Sequence, residues 1–169
     1  MSNESSSQTT DELEPRTTNH YFDKVKSLFQ RYSFLLIFVA LYLGYTEFQS
    51  ALGRQALKNT GISMLSLDEA IIKAKLENKL VLADISAIWC PSCRKLDNNV
   101  LANPRVRESI EQNYVFARVE YESDEGEAFM HKYDVRGFPT LLVLDQEGAK
   151  IRKLGLTFDP DVFIQMIKI

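Results

Sequence analysis

The chain has 169 residues, a length that allows one domain of ordinary size and additional segments. Its 20 basic and 23 acidic side chains give a net charge of −3, which excludes a bulk attraction to nucleic acid, and 45% hydrophobic residues exclude a wholly disordered chain. The two cysteines, Cys90 and Cys93, are too few for a disulfide-dense scaffold or a four-cysteine zinc site. Their spacing is therefore the most informative feature of the sequence.

The N-terminal part of the chain, residues 1–31, begins as a polar segment and becomes basic. Residues 1–20 hold few side chains that can be buried, so a disordered tail is predicted there, followed by an amphipathic, basic stretch at 21–31. Residues 32–52 form an apolar run of 21 residues with one charge, Glu47, near its end. This length is sufficient for a membrane-spanning helix.

An uncleaved membrane anchor is the preferred interpretation of residues 32–52, with two alternatives. A cleaved signal sequence requires a small-x-small cleavage site, for which Ala51-Leu52-Gly53 is a weak candidate. A core helix of a soluble protein conflicts with a run that is apolar on every side. More lysine and arginine precede the run than follow it, which predicts a cytoplasmic N-terminus and places residues 54–169 outside.

Residues 62–169 follow a predicted linker at 53–61 and alternate between strands and helices. Ser66-Leu-Asp-Glu69 has the spacing of a capping box at a helix start. The elements predicted in chain order are an edge strand at 62–65, a helix at 66–77, a buried strand at 80–85, a helix at 90–100, a helix at 103–112, a strand at 114–121, a helix at 123–133, a hairpin of strands at 140–144 and 149–154, and a final helix from Asp159. This order predicts an α/β fold with a mixed sheet flanked by helices.

Cys90 and Cys93 are predicted at the start of a helix that follows a buried strand. At a helix N-terminus, free N–H groups and the helix dipole favour a thiolate at Cys90. Cys93 lies one turn inside the helix, close enough to form a disulfide with Cys90 and to resolve a mixed disulfide. Pro91 suits a first-turn position because its missing N–H has no helical partner there. The spacing therefore favours a redox-active pair.

Two alternatives to redox activity are a static disulfide and half of a metal site. A disulfide that closes a ring of four residues restricts the unfolded chain very little. A metal site would need more ligands than Cys90 and Cys93, and the spacing of His20 and His131 does not suit them to complete it. No metal site is therefore predicted, and no cofactor is expected besides the redox-active disulfide Cys90–Cys93.

Two motifs resemble the thioredoxin superfamily. The run Val81-Leu-Ala-Asp-Ile-Ser-Ala-Ile-Trp-Cys-Pro-Ser-Cys-Arg-Lys95 is similar to its active-site strand and helix, and Val135-Arg-Gly-Phe-Pro-Thr140 resembles its cis-proline loop. The resemblance covers about residues 62–169. It implies a thioredoxin-like fold, a mixed four- to five-stranded sheet flanked by helices, preceded by the predicted N-terminal transmembrane helix. The Asn103-Pro104 segment is most similar to membrane-linked thioredoxins, such as the C-terminal domain of DsbD-type proteins.

The resemblance also implies roles for individual residues. Cys90 matches the attacking cysteine, Cys93 the resolving cysteine and Asp84 the buried acid of the family. An acid in so apolar a strand is expected to be desolvated, with a raised pKa that suits it to accept the proton of Cys93; the alternative is a solvated acid at a strand edge. Pro139 matches the cis-proline, which would leave the Phe138 backbone able to pair with an extended substrate segment. The implied substrate-binding residues are Trp89, Pro91, Ser92, Gly137, Phe138 and Pro139.

The expected function is that of a thiol-disulfide oxidoreductase, tethered to a bacterial inner membrane by a single helix, with its domain in the periplasm. Its partners would be proteins that carry disulfides or dithiols. Pro91-Ser92 departs from the Gly-Pro of the family's usual reducing members, so the direction of electron flow stays open, with a reductant preferred. A reductant in an oxidising compartment needs an electron donor, for which a membrane carrier of DsbD type is implied. A disulfide oxidase or isomerase, and a non-catalytic binding module, are the alternatives.

Overall fold

The computed structural model describes residues 18–168 of the chain, which divide into two units, one up to Leu43 and one from Gly44 onward. Within the first unit, every described residue belongs to helix α1, which runs from Thr18 to Thr60 and so continues into the second unit. This helix contains an apolar window with a mean hydropathy of 1.4, none of which is buried. By length and composition, one helix among the described residues is able to span a membrane.

The second unit is built on a mixed sheet. Its strands are β1 (Leu80–Ser86), β2 (Tyr114–Glu120), β3 (Thr140–Leu144) and β4 (Lys150–Lys153). The helices after α1 are α2 (Leu67–Glu77), α3 (Pro91–Leu96), α4 (Pro104–Asn113), α5 (Asp124–Tyr133) and α6 (Pro160–Met166), with a π-helical turn, Asp97–Leu101, after α3. The strand order is β2-β1-β3-β4, in which β1 is parallel to β2 and antiparallel to β3, and β3 is antiparallel to β4.

Each face of the sheet contributes to a separate part of the core. On one face, Val81 and Ile85 of β1 pack with side chains of α2 and α5. On the other face, Leu82 packs with side chains of α3, α4, α6 and the π-helical turn. Because side chains alternate along a strand, Asp84 and Ser86 lie on the same face as Leu82. The sheet therefore places two polar side chains under the helix that begins at Pro91.

The α/β fold with a mixed sheet is confirmed, and the helices and strands begin and end close to the predicted residues. Ser66 accepts a hydrogen bond from the Glu69 backbone N–H, and the Glu69 side chain accepts one from the Ser66 N–H at 3.1 Å, which is the predicted capping box. The expected edge strand at 62–65 is reduced to one parallel bridge between Leu65 and Ala117.

The tail was predicted for residues 1–31, and residues 1–17 of it lie outside the described residues. Residues 18–31 belong to α1, so a helix replaces the disorder expected at 18–20. The physical reason is continuity, because no glycine or proline interrupts residues 18–43 and the helix extends beyond the apolar run on its N-terminal side.

The segment predicted as a linker, residues 53–61, is instead the end of α1. The helix stops at Thr60, which is fully buried, and Gly61 follows with a φ of 63°, a left-handed conformation typical of helix ends. A Cβ atom on Gly53 would overlap the carbonyl oxygen of Ile88, so the helix passes directly against the loop after β1. Packing within the second unit therefore keeps these residues helical.

Replacing Gly53 by Ala tests this close packing. A Gly→Ala change in a helix normally stabilises it by about 1 kcal/mol, but here the added Cβ forces α1 away from Ile88, at a cost of about 1–3 kcal/mol. We expect Gly53→Ala to lower the free energy of unfolding of the full chain, measured in detergent by denaturant titration of Trp89 fluorescence. Gly44→Ala is the matched control, because a Cβ on Gly44 meets no atom within 4 Å. Equal effects of the two substitutions would contradict the packing.

Candidate active site

Cys90 occupies the N-cap position of α3, directly after the loop that leaves β1. Its side chain accepts a hydrogen bond from the backbone N–H of Cys93 at 3.2 Å, and Pro91 fills the first turn. Both cysteines are free thiols, with only 5% of Cys90 and 1% of Cys93 exposed. A donated hydrogen bond and the positive end of the helix stabilise negative charge on the Cys90 sulfur. This is the placement that the sequence predicted.

The two sulfurs have different surroundings. Burial, together with a hydrogen bond to Cys90, raises the pKa of Cys93 to about 12. At neutral pH the Cys93 thiol therefore stays protonated in the free dithiol state. If Cys93 is to act as a nucleophile, a neighbouring group has to accept its proton.

Asp84 is the acid on the buried face of β1. It is fully buried, and both of its carboxylate oxygens accept hydrogen bonds from the Ser86 hydroxyl, at 2.9 and 3.0 Å. Burial raises the pKa of Asp84 to about 6, while the positive charge of Arg118 opposes that rise. The carboxyl group is desolvated as the sequence predicted, rather than solvated at a strand edge. It can take up or release a proton near neutral pH.

Arg118 and Asp97 complete a buried charged cluster that the sequence analysis missed. Arg118 lies opposite Asp84 in the β1–β2 register and donates to its carboxylate at 2.8 Å. It also donates to Asp97, in the π-helical turn, at 2.9 and 3.3 Å. Burial opposes the charge on Arg118, but Asp84 and Asp97 raise its pKa above the ordinary value. An arginine within an otherwise apolar strand was the available sequence signal, since buried charges require partners.

Glu120 holds the loop between β1 and Cys90. Its carboxylate accepts a hydrogen bond from the Ile88 backbone N–H at 3.0 Å, and burial raises its pKa above the ordinary range. One residue after Cys93, Arg94 of α3 donates a hydrogen bond to the α1 residue Gln49 at 2.6 Å. These contacts hold the chain before and after the cysteine pair, and the sequence analysis identified none of them.

The Phe138–Pro139 loop, which belongs to the second sequence motif, lies next to the cysteine pair of the first motif. The Phe138–Pro139 peptide bond is cis, and Phe138 packs near Cys90 and Cys93 together with Tyr121. The Phe138 ring centroid lies 4.4 Å from that of Tyr121 and 5.6 Å, edge-on, from that of Trp89. The two motifs therefore share one surface.

The six predicted substrate-binding residues differ in how much they are exposed. Trp89, Pro91, Ser92 and Gly137 are exposed, whereas Phe138 is half-buried and Pro139 is buried. A Cβ atom on Gly137 would meet no atom within 4 Å, so that side of the loop is open. The exposed members, which lie beside Cys90 or Phe138 in the chain, are called the rim below, and Pro139 is buried.

The sequence of residues 67–168 matches the family described as "Thioredoxin-like domain". The chain belongs to the thioredoxin-like family. This match covers the sheet, the cysteine helix and the Phe138–Pro139 loop, and it leaves α1 outside. Members of this family work without a cofactor, because the redox group is the cysteine pair of the protein itself. Within residues 18–168, no group of three or more His, Cys, Asp or Glu side chains is arranged to hold a metal ion.

Several relatives are thiol:disulfide interchange proteins. The chain is 26% identical over 129 residues to DsbD of Haemophilus influenzae, covering 73% of this chain and 22% of that protein. It is 34% identical over 97 residues to DsbD 2 of Pseudomonas aeruginosa, covering 56% of this chain and 16% of that protein. The chain thus spans about a fifth of the length of the curated relatives it matches.

Solved structures agree with this placement. The oxidised C-terminal domain of Neisseria meningitidis DsbD superposes with a TM-score of 0.51 at 26% identity, over 61% of this chain and 95% of that one. A thioredoxin from Thermus thermophilus gives a TM-score of 0.56 at 24% identity, over 63% of this chain and 84% of that one, and supports the fold.

Replacing Asp84 by Asn tests the buried acid through stability. Because its pKa in the folded state, about 6, lies above the ordinary 3.8, the protonated carboxyl stabilises the fold below about pH 4, and this contribution is lost as the pH rises through 6. We expect the stability of Asp84→Asn, relative to the parent chain, to increase by about 3 kcal/mol between about pH 4 and pH 7, measured by urea unfolding. Asp68→Asn, at an exposed position of α2, controls for the change in net charge. A relative stability that stays constant over this range would contradict the raised pKa.

Proposed function

We propose that this chain is a thiol-disulfide oxidoreductase that exchanges disulfides with protein partners outside the cytoplasmic membrane, in the reductive direction. The observation that carries the proposal is the pair formed by Cys90, at the N-terminus of α3, and the buried, protonated Cys93 beside it. An acid in the same buried environment, Asp84, supplies the base that such a pair needs. The interchange proteins named DsbD, to which the chain is similar, support this activity.

The first chemical step belongs to Cys90. Its thiolate attacks one sulfur of a substrate disulfide, so that a Cys90–substrate disulfide forms and the other substrate sulfur leaves with the electron pair as a thiolate. The leaving thiolate takes up a proton from water. The hydrogen bond from the Cys93 N–H holds the Cys90 sulfur in place for this attack.

The second step belongs to Cys93. As Asp84 accepts its proton, Cys93 attacks the sulfur of Cys90, the Cys90–Cys93 disulfide forms and the second substrate sulfur leaves as a thiolate. The substrate has then gained two electrons and the cysteine pair has lost them. A further dithiol has to reduce the pair before another turnover.

Substrate binding is assigned to the rim. Trp89, Pro91 and Ser92 are exposed beside Cys90, and the open space around Gly137 leaves room for a segment of another chain. The Phe138 backbone, next to Pro139, is the proposed pairing partner for an extended segment that carries the substrate disulfide. Pairing through the backbone depends more on the extended shape of the substrate segment than on its side chains. This suits exchange with several protein partners.

The proposal also includes the direction of electron flow and the location of the chain in the cell. The similarity to DsbD proteins favours a reductant that receives electrons from a membrane carrier of DsbD type. The apolar part of α1 is proposed as a single-pass anchor in a bacterial inner membrane, with the excess of basic residues on the cytoplasmic side and the cysteine pair in the periplasm.

Two matched serine variants test the exchange reaction, with insulin as the disulfide substrate. We expect Cys93→Ser to accumulate a Cys90–insulin mixed disulfide, seen as a band on a non-reducing gel that disappears with dithiothreitol, because the resolving thiol is absent. Cys90→Ser is expected to form no such band and to lose insulin reduction. Full biological activity of both variants would instead support a non-catalytic binding module.

An impermeant maleimide added to intact bacteria that express the chain tests location and direction together. We expect Cys90 to be labelled without added reductant, on a band of 19.4 kDa, because the proposal places a reduced pair in the periplasm on an uncleaved chain. Cys90→Ser is the control for labelling at the buried Cys93.

Other labelling patterns would contradict parts of the proposal. Labelling only after lysis would contradict the periplasmic location, and a lighter band would indicate a cleaved leader. Labelling only after an impermeant reductant is added would favour an oxidase or isomerase. The reduction potential of the purified chain is an independent measure of direction, with about −270 mV typical of a reductant and about −120 mV of an oxidant.

A further inference from the structure

We propose that Ser86 relays the proton of Cys93 to Asp84 during the resolving step. This inference rests on the disulfide exchange proposed above and adds a residue to it. Neither of the two sequence motifs pointed to Ser86 as part of the chemistry. The structure holds its hydroxyl group on the acid, and the residue after it, Ala87, packs in one buried cluster with the resolving cysteine.

Ser86 is fixed on the side of the acid. It is the last residue of β1, two positions after Asp84, so both side chains lie on the face of the sheet covered by α3. Ser86 is fully buried, and its Oγ lies 2.9 and 3.0 Å from the two carboxylate oxygens of Asp84. The Tyr121 N–H donates to the Ser86 carbonyl oxygen at 2.9 Å, which holds the end of the strand in place. The hydroxyl is therefore held on the carboxylate.

Ser86 also interacts with the thiol. Cys93 lies in the first turn of α3, is 1% exposed and packs in one buried cluster with Ala87, the residue that follows Ser86, and the Ser86 side chain lowers the pKa of Cys93. A serine hydroxyl has one proton to donate and two lone pairs that accept. It can donate to Asp84 and accept from the Cys93 S–H at the same time. The order S–H, O–H, carboxylate is the order that a two-proton relay requires.

The surroundings of Asp84 favour a route through Ser86. Each carboxylate oxygen already accepts from the Ser86 hydroxyl, and Oδ2 also accepts from Arg118 at 2.8 Å. Arg118 is itself held by Asp97, so this side of the carboxylate is occupied by an ion pair. A proton that arrives through the Ser86 hydroxyl uses a hydrogen bond that is already formed.

The proposed step balances in atoms and charge. As the Cys93 sulfur forms its bond to Cys90, the Cys93 proton moves to Ser86 Oγ and the original Ser86 hydroxyl proton moves to Asp84. The bond between Cys90 and the substrate sulfur breaks, and that sulfur leaves with the electron pair. Ser86 ends the step as a neutral hydroxyl and Asp84 as a carboxylic acid, which then releases its proton to water.

The test separates the two chemical steps with dithiobis(nitrobenzoate), a disulfide that releases one coloured thiolate when Cys90 attacks and a second when Cys93 resolves. We expect Ser86→Ala to keep the rate of the first release and to slow the second about tenfold or more at neutral pH. Ser86→Thr, which keeps a hydroxyl, is expected to restore the second rate. In the parent chain the second rate should rise with pH around 6, as Asp84 ionises, and Ser86→Ala should lose this dependence.

A double variant distinguishes the relay from a structural role. If the proton passes through Ser86 to Asp84, Ser86→Ala combined with Asp84→Asn is expected to resolve no more slowly than the slower single variant. Additive losses, slowing of both releases in Ser86→Ala, or an unchanged second release would each overturn the relay. Absence of the first release in the parent chain would overturn the proposed function itself.

Discussion

The ion pairs of Arg118 with Asp84 and Asp97 are the interaction on which the site depends. Two buried carboxylates near each other would repel, and burial raises the pKa of Asp84. Arg118 lies between them at 2.8 and 2.9 Å, so a carboxylate can exist at Asp84 close to neutral pH. Removing one member of such a cluster leaves an uncompensated buried charge. The cluster also joins β1, β2 and the turn that follows α3.

The geometry of the sheet brings these groups together. The parallel register pairs Asp84 with Arg118 and Ser86 with Glu120, and the alternation of side chains puts all four on the face that α3 covers. Capping of α3 by Cys90 then places Cys93 in the same buried environment. One sulfur therefore lies at the positive end of a helix, while burial raises the pKa of the other.

Local patterns were enough to predict most elements and the placement of Cys90 at the start of a helix. The capping box at Ser66 and the position of Cys90 depend on residues within one turn of chain, so they can be recognised without the fold. The partnership of Arg118 and Asp97 was missed because it depends on the β1–β2 register and on a π-helical turn. The end of α1 was mistaken for a linker because its helical state depends on packing against Ile88.

The loop before Trp89 is held from two sides, and this fixes the backbone that leads to Cys90. The Ile88 N–H is bound by Glu120 of β2, and the Ile88 carbonyl oxygen lies against Gly53 of α1. The backbone cannot shift toward either side without breaking a hydrogen bond or colliding with a helix. A partner disulfide in the proposed exchange would therefore meet a fixed loop, and the exposed rim beside Cys90 is the surface left for it to contact.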